Sequence, residues 1–160
     1  MNKKYLIISF LCIVITLAGC SGISSKQENI YTNDEQIVAE GDTYSYLSRI
    51  GSKDSIDNIN QINLQFSKFY GSDTLWNIIC KGKQKLELNF ISEITRGMFK
   101  AVLITPAEEV LVIFEGSDDG TKSIDIDEGK YRFKIVGQGA GGRIQIGIEE
   151  NTNIELEKNE

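Results

Sequence analysis

The chain has 160 residues, with 17 basic and 23 acidic side chains, no histidine, three cysteines and one proline, and its formal net charge is −6. An acidic balance argues against a nucleic-acid partner, and the lack of histidine removes the most frequent general base. The length suits one domain with enough chain to bury a core.

At the N-terminus, Lys3 and Lys4 precede an apolar stretch from Tyr5 to Leu17, and the small residues Ala18 and Gly19 lead to Cys20. These are the parts of a secretory signal, and the apolar stretch is shorter than the ~20 residues that a membrane-crossing helix needs. Leu17-Ala18-Gly19-Cys20 resembles the lipobox of bacterial lipoproteins, a resemblance confined to residues 1–20. It implies a diacylglycerol thioether on Cys20, cleavage between Gly19 and Cys20, and attachment to the extracytoplasmic face of the cell membrane. Two acyl chains at about 0.8 kcal/mol per buried CH₂ suffice for a stable anchor. Cys12 then leaves with the signal and Cys20 is taken by lipid, so Cys80 stands alone and no internal disulfide is expected. Loss of residues 1–19 removes two lysines and no acids, leaving a net charge near −8. The anchor is therefore expected to be the lipid, without help from a basic surface.

Residues 20–40 are polar with isolated Ile23, Ile30 and Tyr31, and read as a solvated tether with a reach on the order of 25 Å. Residues 41–59 are ambiguous between a turn-rich flap and a short helix, with Tyr44, Tyr46, Leu47 and Ile50 as their apolar side chains. From residue 60 onward the pattern is β. Ile62, Leu64 and Phe66 alternate, Gly71-Ser72-Asp73 interrupts, and Leu75 to Cys80 reads as a strand buried on both sides. Gly82 turns the chain into Leu86, Leu88 and Phe90; Arg96-Gly97 turns it again into Phe99, Ala101 and Leu103. Val110 to Phe114 has the apolar density of a central strand, and Asp119-Gly120 is the strongest hairpin signal, since a type I′ turn needs positive φ. Ile124 and Ile126, then Tyr131, Phe133 and Ile135, and finally Ile144, Ile146 and Ile148 complete about eight strands, the last pair joined by a glycine-rich turn. Residues 151–160 read as a polar tail.

Such a pattern packs as an all-β, two-sheet antiparallel sandwich over residues 60–150; a jelly roll stays open as its topology, and a closed barrel is the runner-up. Phe69-Tyr70-Gly71 ahead of the Trp76 strand, Phe99 to Ile104 followed by Pro106, and Gly129 to Phe133 continuing to Ile148 give this stretch a general similarity to the β-sandwich domains of small exported proteins and lipoproteins of Gram-positive bacteria. That resemblance implies a fold and no activity.

Few residues carry chemistry. Gly137-Gln138-Gly139-Ala140-Gly141-Gly142 matches G-x-G-x-x-G, but a dinucleotide site requires a helix next, and Arg143 to Ile148 alternates as a strand. Asp118, Asp119, Asp125, Asp127 and Glu128 are oxygen ligands of the kind hard cations take. They fall at opposite ends of one strand, so no metal site is expected, and Asp118 and Asp119 are the weak candidates. Tyr44 and Tyr46 lie on one side if extended and would give an aromatic platform for a sugar, whereas Trp76 reads as core. Lys81, Lys83 and Lys85 flank a turn and would project a positive patch, or guard an edge strand. With no histidine and Cys80 expected to be buried, no catalytic residue and no cofactor beyond the diacylglycerol are expected.

The sequence therefore predicts a lipid-anchored, extracytoplasmic, non-catalytic binding or accessory module, with the membrane as its anchor and an envelope protein or wall polymer as candidate partners. The alternatives are recognition of wall carbohydrate or polymer and, further off, a small carboxylate-dependent hydrolase.

Overall fold

The structure, a computed structural model, describes residues 25–51 and 59–158. Gly19, Cys20 and the rest of the signal lie outside the described residues. Two short helices, α1 (Ser25–Asn29) and α2 (Asp34–Ile37), precede eight strands. These are β1 (Thr43–Ser45), β2 (Ser48–Ile50), β3 (Gln61–Cys80), β4 (Gln84–Ile104), β5 (Val110–Glu115), β6 (Asp118–Ile126), β7 (Gly129–Ile148) and β8 (Ile154–Lys158).

All pairings are antiparallel, and β3, β7 and β4 lie side by side at the centre. On the free side of β4, β5 and β6 pair with its two halves in turn, so 110–126 runs as one more long strand interrupted at Gly116 and Ser117. Along the free side of β3, β2, β1 and β8 follow one another, so the sheet stays open at both edges among the described residues. Each central strand is 20 or 21 residues long. Each would span about 65 Å if straight. They do not run straight. Register shifts at Phe66/Phe69 in β3 and at Ile94/Arg96/Met98 in β4 mark a line of bulges where the sheet folds over on itself. A bulge leaves a residue unpaired and bends its strand, which is how one sheet makes two layers.

The first layer holds 61–66 of β3, 142–148 of β7, 84–94 of β4, and β2 and β6. The second holds 69–80, 129–140 and 98–104 of the same strands with β1, β5 and β8. One apolar core fills the space between them, with Ile62, Leu64, Leu88 and Ile146 from the first layer and Trp76, Leu103, Phe133 and Ile135 from the second. Phe90 stacks on Phe114 across the gap with ring centroids 4.4 Å apart, and Phe66 lies 5.3 Å from Phe99. Each such pair contributes about 0.5–1.5 kcal/mol beyond its burial. Trp76 is fully buried and its indole N–H donates to the Ile59 carbonyl at 2.8 Å.

Several expectations are corrected here. Gly71-Ser72-Asp73, Arg96-Gly97, Asp119-Gly120 and Gly137–Gly142 lie within strands. The glycine freedom that suits a turn also suits a bulge and a close backbone approach. Val110 to Phe114 forms an edge strand with Leu111 and Val112 exposed, since β4 is its only pairing partner in the sheet. The tail joins the sheet as β8, with Leu156 opposite Ile78. Within 41–59, the described part is extended as β1 and β2, and 52–58 fall outside the described residues.

The largest departure concerns the expected tether. Residues 25–40 form a flap across the outer face of the second layer, where Ile30, Tyr31 and Ile37 are buried against Val102, Ile104 and Val136. A solvated tether would have kept those side chains in water; the sheet offers them an apolar face that local polarity does not reveal. Asn33 caps α2, its side-chain oxygen accepting from the Gln36 backbone N–H at 3.1 Å. Tyr31 donates to Glu115 at 2.7 Å, and the Lys100 ammonium lies 5.0 Å from the Tyr31 ring centre.

Candidate functional site

The flap leaves part of the second layer's outer face open, and β7 sets the chemistry there. Tyr131, Phe133 and Ile135 point into the core, so Lys130, Arg132 and Lys134 occupy the opposite face by strand alternation. Lys134 is fully buried beneath the flap, 3.2 Å from Asp42 and donating to the Ala39 carbonyl at 2.7 Å. Burial pushes its ammonium below the ordinary lysine range, against the pull of Asp42. Asp42 also accepts from the Thr74 backbone N–H at 2.9 Å and its hydroxyl at 2.8 Å. This cluster fastens the end of the flap to β3 and β7.

Beyond it lies a groove of about 420 Å³ lined by Glu40, Asn77, Thr105, Glu108, Lys130, Arg132 and Glu157 among others. The pairing register places Glu157 beside Asn77 and Asn77 beside Arg132, a row of acid, amide and guanidinium on adjacent strands. Strand spacing sets these groups about 4.8 Å apart on rigid backbone. Arg132 donates through Nη2 to the Val38 carbonyl at 2.6 Å, while its Nη1 is buried with no hydrogen-bond partner among the described residues. A buried, unmatched donor costs on the order of 1–3 kcal/mol, and more when it is charged. The row therefore sets an acceptor, a group that does both, and a guanidinium side by side, with Nη1 itself out of reach of solvent. Sequence reading missed it. The signal was present as Lys130, Arg132 and Lys134, three basic residues at period two on a strand whose other face is apolar.

The residues singled out from sequence lie elsewhere, and the structure does not bring them together. Tyr46 and Tyr44 sit at the open β3 edge, rings 5.5 Å apart and edge to face. Tyr46 stacks on Phe69 at 4.6 Å, donates to Asp73 at 2.7 Å and has the Arg49 guanidinium 5.5 Å from its ring centre. The two tyrosines thus form no shared exposed platform: Tyr46 closes the core and Tyr44 alone is exposed. Burial and the Asp73 carboxylate push the Tyr46 phenol far above its ordinary value. Tyr70 is half-buried in β3, in the row of Gln138.

Lys81 and Lys85 pair with acids of neighbouring strands, Glu155 at 3.0 Å and Asp125 at 3.4 Å, and Lys83 is exposed at the turn between them. These ion pairs offset much of the positive patch, and exposed pairs of this kind contribute little to stability. Asp118 and Asp119 open β6, while Asp127 and Glu128 follow its other end. Among the described residues, no group of three or more carboxylates and cysteines could hold a metal ion. Cys80 is buried, its thiol donating to the Gly82 carbonyl at 2.9 Å, and burial pushes that thiol up. Among the described residues, no helix is long and apolar enough to cross a membrane.

No family model and no curated protein matches the chain. Among solved structures, a mutant of the family 29 carbohydrate-binding module CBM29-2 complexed with mannohexaose is similar at a TM-score of 0.37 and 15% identity, over 73% of this chain and 82% of that one. The C-terminal CBM6 of LamC, a laminarinase from Zobellia galactanivorans, gives 0.32 and 19%, over 67% and 99%. A protein from Shewanella oneidensis gives 0.31 and 11%, over 74% and 75%. At these identities and TM-scores nothing about this chain's ligand follows.

Proposed function

We propose that the protein is a lipid-anchored, extracytoplasmic binding module that acts without catalysis and holds a hydroxyl-rich segment of an envelope polymer in the groove beside the flap. The observation that carries the groove reading is the row Glu157, Asn77, Arg132, an acid, an amide and a guanidinium set side by side along its lining. A polyol supplies hydroxyls that both accept and donate, which matches an acceptor, an amide and a donor set side by side. The anchor reading rests on Leu17-Ala18-Gly19-Cys20.

A second reading, contact with an envelope protein, draws on β5, an edge strand with Leu111 39% and Val112 49% exposed. Exposed edges accept a further strand from a partner.

The test is co-sedimentation of the purified protein with cell-wall polymer, followed by calorimetry with soluble fragments. Asn77→Ala and Lys130→Ala change groove residues that are not fully buried, and each should weaken binding about tenfold, a loss of about 1.4 kcal/mol. Val112→Lys on β5 should leave polymer binding unchanged. Undiminished binding by both groove variants sinks the groove reading, and loss of a protein partner in Val112→Lys alone favours the edge.

A further inference from the structure

The line of bulges where the sheet folds over forms a crest at one end of the molecule, and its composition differs from that of the opposite end. Lys68 and Arg96 are exposed on it. Next to them, on the β1–β2 strap and on β4, stand Leu47, 71% exposed, Ile50, 65%, and Met98, 44%. Leu47 donates its backbone N–H to the Ser67 carbonyl at 3.0 Å, which fixes the strap to the crest. Below Ile50 a hollow of about 370 Å³ on the first layer is lined by Ser48, Ser67, Thr95, Arg96 and Arg143, a set of hydroxyls and guanidiniums, together with Glu93. Glu93 is held by Arg143 in a bidentate pair at 2.7 and 2.8 Å.

Apart from Glu93, which Arg143 pairs, and Glu28 on α1, acids gather away from this corner. Glu108, Asp127, Glu128, Glu149 and Glu150 lie in the loops at the far end, where they outnumber Lys81 and Lys83. Asp118 and Asp119 stand on β6, four strand spacings from β2, about 19 Å. The protein is acidic as a whole and basic-apolar at one corner.

The position of the flap decides what covers that corner. Residues 25–40 are packed on the domain, so four residues, 21–24, separate Cys20 from α1. Five residue steps span at most about 18 Å, well short of the ~33 Å length of a folded-over strand. α1 lies against β1 and β3, and β1 pairs with Gly71 and its neighbours, just past the bulges. The leash therefore leaves the domain close to the crest.

We infer that the crest corner is a membrane-contacting surface: Leu47, Ile50 and Met98 enter the interfacial region, and Lys68 and Arg96 meet the phosphates of anionic phospholipids. This rests on the anchor at Cys20. It replaces a domain lifted off the membrane on a long tether with one seated on the headgroups. Its contribution is orientation, since it turns the far end and the mouth of the groove outward. Interfacial contact of this kind combines apolar burial with attraction of basic residues to an anionic surface.

The experiment uses the full-length protein, expressed in a bacterial host and purified from membranes, with mass spectrometry of the Cys20 peptide. It is reconstituted into phosphatidylglycerol and phosphatidylcholine vesicles containing brominated acyl chains, which quench nearby indoles. Leu47→Trp and Ile50→Trp place probes on the corner and Lys83→Trp on the far end, with the signal of buried Trp76 subtracted. The inference expects lipid on Cys20, quenching of the corner probes several-fold greater than that of Lys83→Trp, and a loss of that contrast in Lys68→Glu/Arg96→Glu. Lipid on Cys20 with all probes unquenched, or with Lys83→Trp quenched most, overturns the seated orientation and leaves the anchor standing. An unmodified Cys20 overturns the anchor and, with it, the inference.

Discussion

Gly142 has no room for a methyl group. A Cβ built there would lie 2.2 Å from the carbonyl oxygen of Glu93 and 2.9 Å from the Cα of Ile94, both backbone atoms of the paired strand. Backbone cannot swing aside as a side chain can, so β4 would have to move at the very place where it bends. Gly142→Ala is therefore expected to cost about 3 kcal/mol, the upper range for overpacking, and denaturant titration would read it as a lower midpoint with an unchanged slope. A cost below about 0.5 kcal/mol would mean that the fold line is loose. Gly97 and Gly139 meet across the same line at positive φ, +69° and +66°. This is why the run Gly137–Gly142 was legible as special and illegible as to kind. Glycine marks a backbone demand, and sequence does not say whether the demand is a turn or a bend with a neighbouring strand pressed against it.

At the scale of the element, the flap is held by a buried pair as well as by its apolar residues. Lys134 and Asp42 meet under it, with Lys134 also bonded to the Ala39 carbonyl. Removing one partner leaves the other charge buried, so Lys134→Met is expected to cost about 3 kcal/mol or more, while Lys134→Met with Asp42→Asn recovers a large part of it. Denaturation of both variants, with hydrogen exchange on residues 30–42, tests this. If the double variant is no more stable than the single, the pair is not the fastening. The flap was hidden in the sequence because Ile30, Tyr31 and Ile37 are too few to make a core of their own. The hint lay on the partner: Ala101-Val102-Leu103-Ile104 is apolar at every position, the mark of a strand covered on both faces. The interior strands were readable because alternation is local, whereas Val110 to Phe114 misled because an edge strand that lies over a core is as apolar as a central one.

For the whole molecule, the consequence of burying hydroxyls among carboxylates appears at high pH. The phenols of Tyr31, Tyr44, Tyr46 and Tyr131 are all pushed up, chiefly by burial, with Glu115 adding to it at Tyr31 and Asp73 at Tyr44 and Tyr46. An acid whose folded pKa is raised keeps its proton in the folded state when the unfolded chain has lost it. Its stabilisation is thus complete below the unfolded value of about 10 and is lost as pH climbs above it. Lys134 acts in the opposite sense: its pKa is lowered on folding, so stability rises with pH between that lowered value and about 10.4. The Cys80 thiol, also pushed up by burial, adds a loss that begins at its unfolded value of about 8.5 and that the lysine opposes up to about 10.4; above that the thiol and the phenols act unopposed. The denaturation midpoint is expected to hold from pH 8 to 10 and to drop between pH 10 and 11. Tyr46→Phe should begin lower at pH 8, because Asp73 loses a donor, and should fall less steeply above pH 10. Parallel declines for the two proteins would show that the Tyr46 hydroxyl is not what couples the β3 edge of the sandwich to alkaline unfolding.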